Sequence, residues 1–523
     1  MKILIILPDL GSIPNIFSGI ASICGSVKAQ GHDIKLLHIN EALGLEYDLN
    51  SILRQIETFK PAIIGFSSST IHAHIAYEIA QHIKKTSQIP IIFGGPHATV
   101  SPEAILNTGF FDFVCVGEGE LAFVELLERL ENKADVYSVM NIWARQGDQI
   151  FKNPLRPLVS QLEMLPYPDY DIFDLKKILK IRNGWFDVIS IRGCPYRCSY
   201  CQAPRINRLY QEQKATTNGW RIQKWDIDIF ISYLESLLHQ YSEIKIFSFV
   251  DDVFLINKKF VQQFCHQFKE KIFEPYGVKM NVQARIETVT EEILDHLEAA
   301  GTKILKFGLE SGNEEIRRKV LKKEFSNDLI EKVFHMIHQR TGSLETWAFN
   351  MIGIPGETKE TVNDTFNLLA KIKPDNVWFS IYYPLPQTDL FDECVENNLI
   401  DWVKFDQLSS YREDTPLRLT DFKEGELKKM YRIFNWYLNR SLHPEDTMIR
   451  TLINQVEDGD VEWKDSDHFS QFIEKNNTII RKKYYEQQMD YFDPRWTYIS
   501  LYNDWKDNTE TKRTLKQYLA QQR

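Results

Sequence analysis

No stretch of this chain stays apolar for the ~18 residues that a membrane-crossing helix needs, so no membrane span is expected. The apolar opening from Met1 to Leu7 stops at Pro8, too early for a secretory signal, and reads better as a first buried strand. Positive charge is not in excess. Lys and Arg number 62 against 72 Asp and Glu, a net charge of −10, which argues against a dedicated nucleic-acid binder. Cysteine is scarce: seven residues in 523, three of them between Cys194 and Cys201. A disulfide framework is not spaced like that. The clustering points to a metal site in a reducing compartment, and a cytoplasmic location is expected. Neither a P-loop nor an H-E-x-x-H helix is present.

What remains is globular. Hydrophobic residues make up 43% and charged residues 26%, which excludes a disordered or fibrous chain. The length suggests about three domains. Residues 1–135 alternate apolar strand-like runs with helix-like segments. The strand candidates are Lys2 to Leu7, Asp33 to Ile39, Ala62 to Phe66, Ile89 to Phe93 and Asp112 to Val116. Such a pattern predicts an α/β layer with a parallel sheet covered on both faces. Ligands of such sheets lie beyond the carboxyl ends of the strands. Residues 136–182, broken by Pro154, Pro157, Pro166 and Pro168, read as a connecting region. Residues 183–395 repeat the alternation, with strands expected at Asp187 to Ile191, Lys245 to Val250, Val278 to Gln283, Ile304 to Gly308, Thr346 to Ile352 and Asn376 to Tyr382. That repetition suggests a full or partial (β/α) barrel. Residues 396–523 read as mostly helical. Their aromatics include Trp402, Trp463, Trp496 and Trp505. Tyr431, Phe434, Trp436 and Tyr437 fall at near-helical spacing and are expected in a core. The basic run Arg481-Lys482-Lys483 reads as a solvated helix face.

The strongest local signal is Arg192-Gly193-Cys194-Pro195-Tyr196-Arg197-Cys198-Ser199-Tyr200-Cys201, with spacing C-x3-C-x2-C after a predicted strand. Thiolates are soft ligands suited to iron–sulfur clusters. One loop supplies three, while Cys24, Cys115, Cys265 and Cys394 are scattered singly. A [4Fe–4S] cluster held by three cysteines keeps one iron open for substrate or cofactor. A structural zinc loop would want a fourth ligand nearby.

This loop resembles that of the radical S-adenosylmethionine (SAM) superfamily. The resemblance extends to Asn281-Val282-Gln283-Ala284-Arg285, Gly308-Leu309-Glu310-Ser311-Gly312-Asn313 and Asn350-Met351-Ile352-Gly353-Ile354-Pro355-Gly356-Glu357-Thr358. Phe249-Val250-Asp251-Asp252 stands where many members have Gly-Gly-Glu. The resemblance implies cluster ligation by Cys194, Cys198 and Cys201, and reductive cleavage of SAM to a 5′-deoxyadenosyl radical. It also implies SAM contacts from Asp252, Arg285, Glu310 and Ser311, with Tyr200 and Gly353 near the adenine.

In the N-terminal layer small residues end three strands: Ser67-Ser68-Ser69-Thr70, Gly94-Gly95-Pro96-His97 and Val116-Gly117-Glu118-Gly119-Glu120. By themselves they fit an ordinary flavodoxin-like sheet equally well. Beside a radical SAM core they resemble the cobalamin-binding domain of cobalamin-dependent radical SAM enzymes. That resemblance implies cobalamin contacts from Ser68, Thr70, Gly94, Gly95, His97, Gly117 and Glu118. The D-x-H-x-x-G motif that supplies a cobalt-ligating His in other cobalamin proteins is missing, because the first loop reads Asp9-Leu10-Gly11-Ser12-Ile13-Pro14. His72, His74 and His97 stand near strand ends, each either a cobalt ligand or a structural residue.

The activity this implies is methyl transfer from SAM, by way of cobalamin, to an unactivated carbon or phosphorus of a small molecule, with electrons from a flavodoxin or ferredoxin. Cyclisation or rearrangement with the same cofactors, and a non-catalytic cobalamin sensor or carrier, are the alternatives. No residue is singled out as acting directly on substrate.

Overall fold

The computed structural model describes residues 1–216, 222–340, 344–408, 410–412, 414–423, 425–459, 466–487 and 489–492, without the side chains of Ser466, Asp467 and Tyr485. Trp463, Trp496 and Trp505 lie outside the described residues. The chain forms two compact units. The first comprises Met1–Phe254, His266–Lys279 and Leu385–Asp392; the second comprises Leu255–Cys265, Met280–Pro384 and Glu393–Arg523.

The first unit opens with β1 (Lys2–Pro8), β2 (Asp33–Ile39), β3 (Ile63–Ser67), β4 (Ile91–Gly94) and β5 (Phe113–Cys115). They pair in parallel in the order β2-β1-β3-β4-β5. β1 is buried from Ile3 onward, as a strand covered on both faces must be. Gly65 sits opposite Ile5, whose Cδ1 would lie 2.7 Å from any Cβ added there. In this order the chain reverses direction between β1 and β3, which places a ligand crevice at their carboxyl ends.

The stretch 136–182, expected as a connecting region, contains regular structure of its own. β6 (Ile142–Gln146) and β7 (Gln149–Phe151) form a hairpin that extends the sheet antiparallel to β5. A Gly147-Asp148 turn, with Gly147 at φ +58°, closes it. The four prolines all come after this hairpin, and from 154 to 168 the chain is irregular apart from the single turn Leu162–Met164. The end of that segment lies along the helix Ser18–Ala29, where Asp169 N donates to Ala21 O at 2.8 Å. A Cβ on Gly25 would come 2.1 Å from Tyr167 O.

The rest of the first unit carries β8 (Trp185–Val188), β9 (Ile191–Arg192), β10 (Gln223–Lys224) and β11 (Ile246–Phe249). β8 and β11 pair in parallel, β9 and β10 antiparallel. The strand expected from Asp187 to Ile191 is therefore two strands. The break falls at Ser190, whose N–H donates to Asp251 Oδ1 at 2.7 Å; Ile191 N–H donates to the same oxygen at 2.8 Å.

The second unit carries β12 (Lys279–Ala284), apart from its first residue, then β13 (Thr302–Glu310), β14 (Glu345–Ile352) and β15 (Asn376–Ile381), neighbours paired in parallel. One face of these strands packs on helices. Phe307 meets Phe334, and Phe379 meets Phe366 and Phe434. With their alternating helices, the parallel strands give the α/β, partial-barrel class expected for this core. Helices Glu426–Arg432, Phe434–Leu442, Thr447–Glu457 and Ser466–Glu486 lie further along the chain. Tyr431, Phe434, Trp436 and Tyr437 are all buried, so the aromatic spacing does mark a core. The basic run is not wholly a solvated face: Lys483 pairs with Asp446 at 2.7 Å beside the buried Tyr484.

Candidate functional site

In the first unit, the loop from Gly193 to Cys201 leaves β9 through Gly193 at φ +95°, a left-handed conformation that suits glycine. Cys194, Cys198 and Cys201 are half-buried and form no disulfide. The loop closes on itself where Cys201 N donates to Cys198 O at 3.2 Å. Cys201 caps the helix Gln202–Glu212. Asn207 Nδ2 holds the Cys194 carbonyl at 2.6 Å. Burial pushes the Cys201 thiol up to about 12, with Asp252, Cys198 and Cys194 adding to the shift. A thiolate there needs a cation to displace its proton. Among the described residues no three His, Cys, Asp or Glu side chains are already drawn together around one metal position. The donor set is still right: three soft ligands on one short loop, close enough to influence one another, suit an iron–sulfur cluster.

Of the acidic pair, Asp251 is buried and Asp252 exposed. Asp251 takes both backbone donors at the β8–β9 break, and the Ser190 hydroxyl at 2.7 Å. Burial raises its carboxyl to about 7. Asp252 is therefore the member of the pair left facing outward. Tyr200 is half-buried in the cluster loop.

At the carboxyl ends of β3 and β4 the structure brings Ser68, Thr70, Gly94, Gly95 and His97 together. Gly95 has φ +88°, and a Cβ there would meet Ser67 Oγ at 2.8 Å, so this edge keeps a clear backbone. Backbone without side chains, flanked by hydroxyls, suits the close approach of a flat cofactor such as cobalamin. His97 is already engaged: Nδ1 lies 3.3 Å from Thr70 Oγ1 and Nε2 2.7 Å from Tyr77 Oη. Burial lowers its pKa to about 4, so the ring is neutral. The loop after β1 offers no imidazole of its own. Asp9 there is locked by His38, Asn40 and Ser12. His72 and His74 are half-buried.

Gly117 and Glu118 behave differently from the other expected cobalamin residues. The Cβ position of Gly117 lies 2.3 Å from Tyr210 Oη, and Glu118 N–H donates to that hydroxyl at 2.9 Å. Glu118 also lies 3.8 Å from Arg192, whose guanidinium pairs with the buried Glu120 at 2.7 Å. Ser22 Oγ donates to the same Glu120 carboxylate at 2.8 Å. This turn is thus fastened to the strand that launches the cysteine loop. Sequence reasoning missed Arg192, Glu120 and Tyr210. The available signals were Arg192 at the head of the cysteine motif and Glu120 at the end of the segment Val116 to Glu120.

In the second unit, Arg285, Glu310, Ser311 and Gly353 all fall at carboxyl ends of strands. Arg285 follows β12 and pairs with Glu287 at 2.6 Å. Glu310 ends β13 at φ +68°, with a register shift between Gly308 and Glu310. A non-glycine residue there costs roughly 1–3 kcal/mol. Lys323 offsets part of that cost: its Nζ lies 3.0 Å from Glu310 Oε1 and donates to Gly308 O at 2.6 Å. A Cβ on Gly308 would sit 2.4 Å from the same carboxylate oxygen. Ser311 is fully buried. Gly353, at φ +78°, lies under Leu427, whose Cδ1 would be 2.6 Å from an added Cβ. Asn281 on β12 is fully buried, yet neither side-chain amide atom has a hydrogen-bond partner. Leaving such groups unmatched costs roughly 1–3 kcal/mol, so this strand suits a polar ligand such as SAM.

Residues 16–127 match the B12 binding domain family, and residues 188–369 match the radical SAM superfamily. The chain belongs to the cobalamin-dependent radical SAM enzymes. A cobalamin-dependent radical SAM enzyme works with a [4Fe–4S] cluster, SAM and cobalamin. An uncharacterized methyltransferase of Pyrococcus horikoshii is 26% identical over 85% of this chain and 93% of its own length. The anaerobic magnesium-protoporphyrin IX monomethyl ester cyclase of Rubrivivax gelatinosus is 24% identical over 81% of this chain and 74% of its own. Among solved structures, the radical SAM methyltransferase TsrM of Kitasatospora setae, bound to its tryptophan substrate and a SAM analogue, superposes with a TM-score of 0.62 at 17% identity, covering 76% of each chain. No helix among the described residues is long and apolar enough to cross a membrane.

Proposed function

We propose that this enzyme is a methyltransferase that moves a methyl group from SAM, by way of cobalamin, to an unactivated carbon or phosphorus of a small molecule. The observation that carries the reading is the three-cysteine loop after β9, on a chain that also matches a B12 binding domain. Residues 1–135 then form the cobalamin domain, 136–182 the connection, 183–395 the radical SAM core and 396–523 a helical, substrate-specific region. Bound to these residues, the cluster supplies the electron that cleaves SAM, and cobalamin carries the methyl group. Cys194, Cys198 and Cys201 hold the cluster. Asp252, Arg285, Glu310 and Ser311 contact SAM, and Tyr200 and Gly353 lie near its adenine. Ser68, Thr70, Gly94, Gly95 and His97 line the cobalamin edge. Gly117 and Glu118 serve that edge by fixing the neighbouring turn against Tyr210. His97 acts through its hydrogen bonds, since both ring nitrogens are engaged. The electron donor is of flavodoxin or ferredoxin type, no nucleic acid takes part, and the location is cytoplasmic.

The likeness to the cyclase supports a second reading, ring formation without methyl transfer. One experiment separates them. Anaerobically reconstituted protein is incubated with cobalamin, a strong reductant and methyl-labelled SAM, and products are followed by mass spectrometry. Label on cobalamin, together with S-adenosylhomocysteine and 5′-deoxyadenosine, supports methyl transfer. 5′-Deoxyadenosine with no label on cobalamin supports the cyclase reading. Cobalamin bound by a protein that takes up no iron would instead favour a sensor or carrier.

A further inference from the structure

Arg317 in the second unit has no part in the proposed cofactor contacts, yet its side chain is fully buried. It sits in Ile316–Val320, a single π turn closed where Leu321 N donates to Ile316 O at 3.0 Å. Such turns gather at functional sites. A buried guanidinium is costly unless its donors are met, and an apolar side chain of similar length would avoid the cost. Glu314 Oε2 stands 3.9 Å away, too far for a hydrogen bond. The donors go to other acceptors: Nη1 to Ser311 O at 2.7 Å, Nε to Phe325 O at 3.1 Å and Nη2 to Asn327 Oδ1 at 2.7 Å. Asn327, the first residue of the helix Asn327–His338, extends the link, because its Nδ2 donates to Gly312 O at 3.0 Å. Two consecutive carbonyls of the turn after β13 are thus held from segments further along the chain. The guanidinium carbon of Arg317 also lies 5.0 Å from the centre of the Phe325 ring, and that of Arg285 lies 5.8 Å from the same centre. The turn is fastened as well by the helix Lys359–Ile372, where Gly312 N donates to Thr365 Oγ1 at 2.8 Å.

We propose that Arg317 is a positioning residue: by holding the Ser311 carbonyl and, through Asn327, the Gly312 carbonyl, it fixes the turn that presents Glu310 and Ser311 to SAM. The proposal rests on the reading of that turn as a SAM contact. Glu310 stands at φ +68°, a conformation that a non-glycine residue keeps only where its surroundings hold it. Lys323 holds its side chain, and Arg317 and Asn327 hold the backbone just after it. A planar fork of donors can serve acceptors from the turn, from Phe325 and from Asn327 at once. Lysine keeps the charge, but its point-like ammonium cannot span those acceptors together. Asn327→Ala leaves the Ser311 link in place and removes the one to Gly312.

The test is SAM binding by the anaerobically reconstituted full chain, comparing the parent with Arg317→Lys and Asn327→Ala. For each protein the SAM concentration that half-shifts the cluster's electron paramagnetic resonance signal is read, with iron content and cobalamin affinity alongside. Half-saturation does not depend on how much of the protein is folded, so a mere loss of stability leaves it unmoved. Arg317→Lys is expected to raise it at least about tenfold and Asn327→Ala at least about threefold, for the hydrogen bonds each one loses. The SAM-free signal and the cobalamin affinity of both variants should match the parent's. A half-saturation point in Arg317→Lys equal to the parent's overturns the proposal. So does a rise matched by an equal loss of cobalamin affinity, which marks general damage. Should Arg317→Lys take up no iron, Asn327→Ala decides alone by the same two criteria. A fully iron-loaded parent that binds no SAM overturns the SAM reading itself, and is told apart by that.

Discussion

Asp251 and Asp252 are neighbours in sequence, and the fold gives them opposite work. Asp251 is buried and holds the backbone at the β8–β9 break; Asp252 is exposed. Asp251→Ala strips partners from two N–H groups and a hydroxyl and should cost several kcal/mol, at ~1–3 kcal/mol per unsatisfied group. Asp252→Ala should change stability by less than ~0.5 kcal/mol, as surface substitutions usually do. Urea denaturation of the two variants checks the contrast, and equal losses would contradict it. Two adjacent aspartates look identical in a sequence, so the motif points to Asp252 for SAM and assigns Asp251 nothing. Burial is a tertiary property, and the partners of Asp251 lie about 60 positions upstream. The same limit hid Arg317, which the sequence shows only as one of three cations in Arg317-Arg318-Lys319. The three cysteines were legible because their chemistry is carried by spacing alone.

At the scale of elements, the parallel strands could be read almost to the residue. Runs such as Lys2 to Leu7 and Asp33 to Ile39 are short, apolar and bounded by turn residues, and they become β1 and β2. The hairpin β6–β7 escaped because its five- and three-residue strands sit close to prolines that suggested irregular chain. The β8–β9 break escaped because a single serine between isoleucines fits an alternating strand as well as a break. The turn at Gly117 shows how one element fixes another. Its glycine reads as a cofactor contact, yet the Tyr210 hydroxyl occupies the space a side chain would need. Gly117→Ala should therefore destabilise the chain by about 1–3 kcal/mol, through overpacking and a strained positive φ. Adding Tyr210→Phe should recover part of that loss by removing the clashing oxygen. Thermal melts of the single and double variants measure both effects, and a double variant no more stable than Gly117→Ala would count against the contact.

At the scale of the whole molecule, three buried groups make stability depend on pH. Asp251, raised from 3.8 to about 7, and Glu357, raised from 4.5 to about 8, keep protons in the folded state that the unfolded chain has released. Their contribution is complete below about pH 4 and is lost as pH rises through 7 and 8. His97, lowered from 6.5 to about 4, does the reverse: its contribution is complete above pH 6.5 and is lost as pH falls through 4. Between about pH 4.5 and 6.5 the two acids outweigh the one imidazole, and above that only the acids act, so denaturation midpoints should decline as pH rises from about 4.5 to about 8. Glu357→Gln should make that decline shallower, and a variant with an unchanged decline would show that another group sets it.

The central claim is that the loop from Cys194 to Cys201 holds a cluster with one iron left for SAM. Electron paramagnetic resonance of the reduced, anaerobically reconstituted full chain, recorded before and after adding SAM, tests it most directly. The account predicts a [4Fe–4S] signal whose g-values shift when SAM is added, and which disappears in Cys201→Ala. A signal indifferent to SAM, or one that survives loss of Cys201, would contradict it.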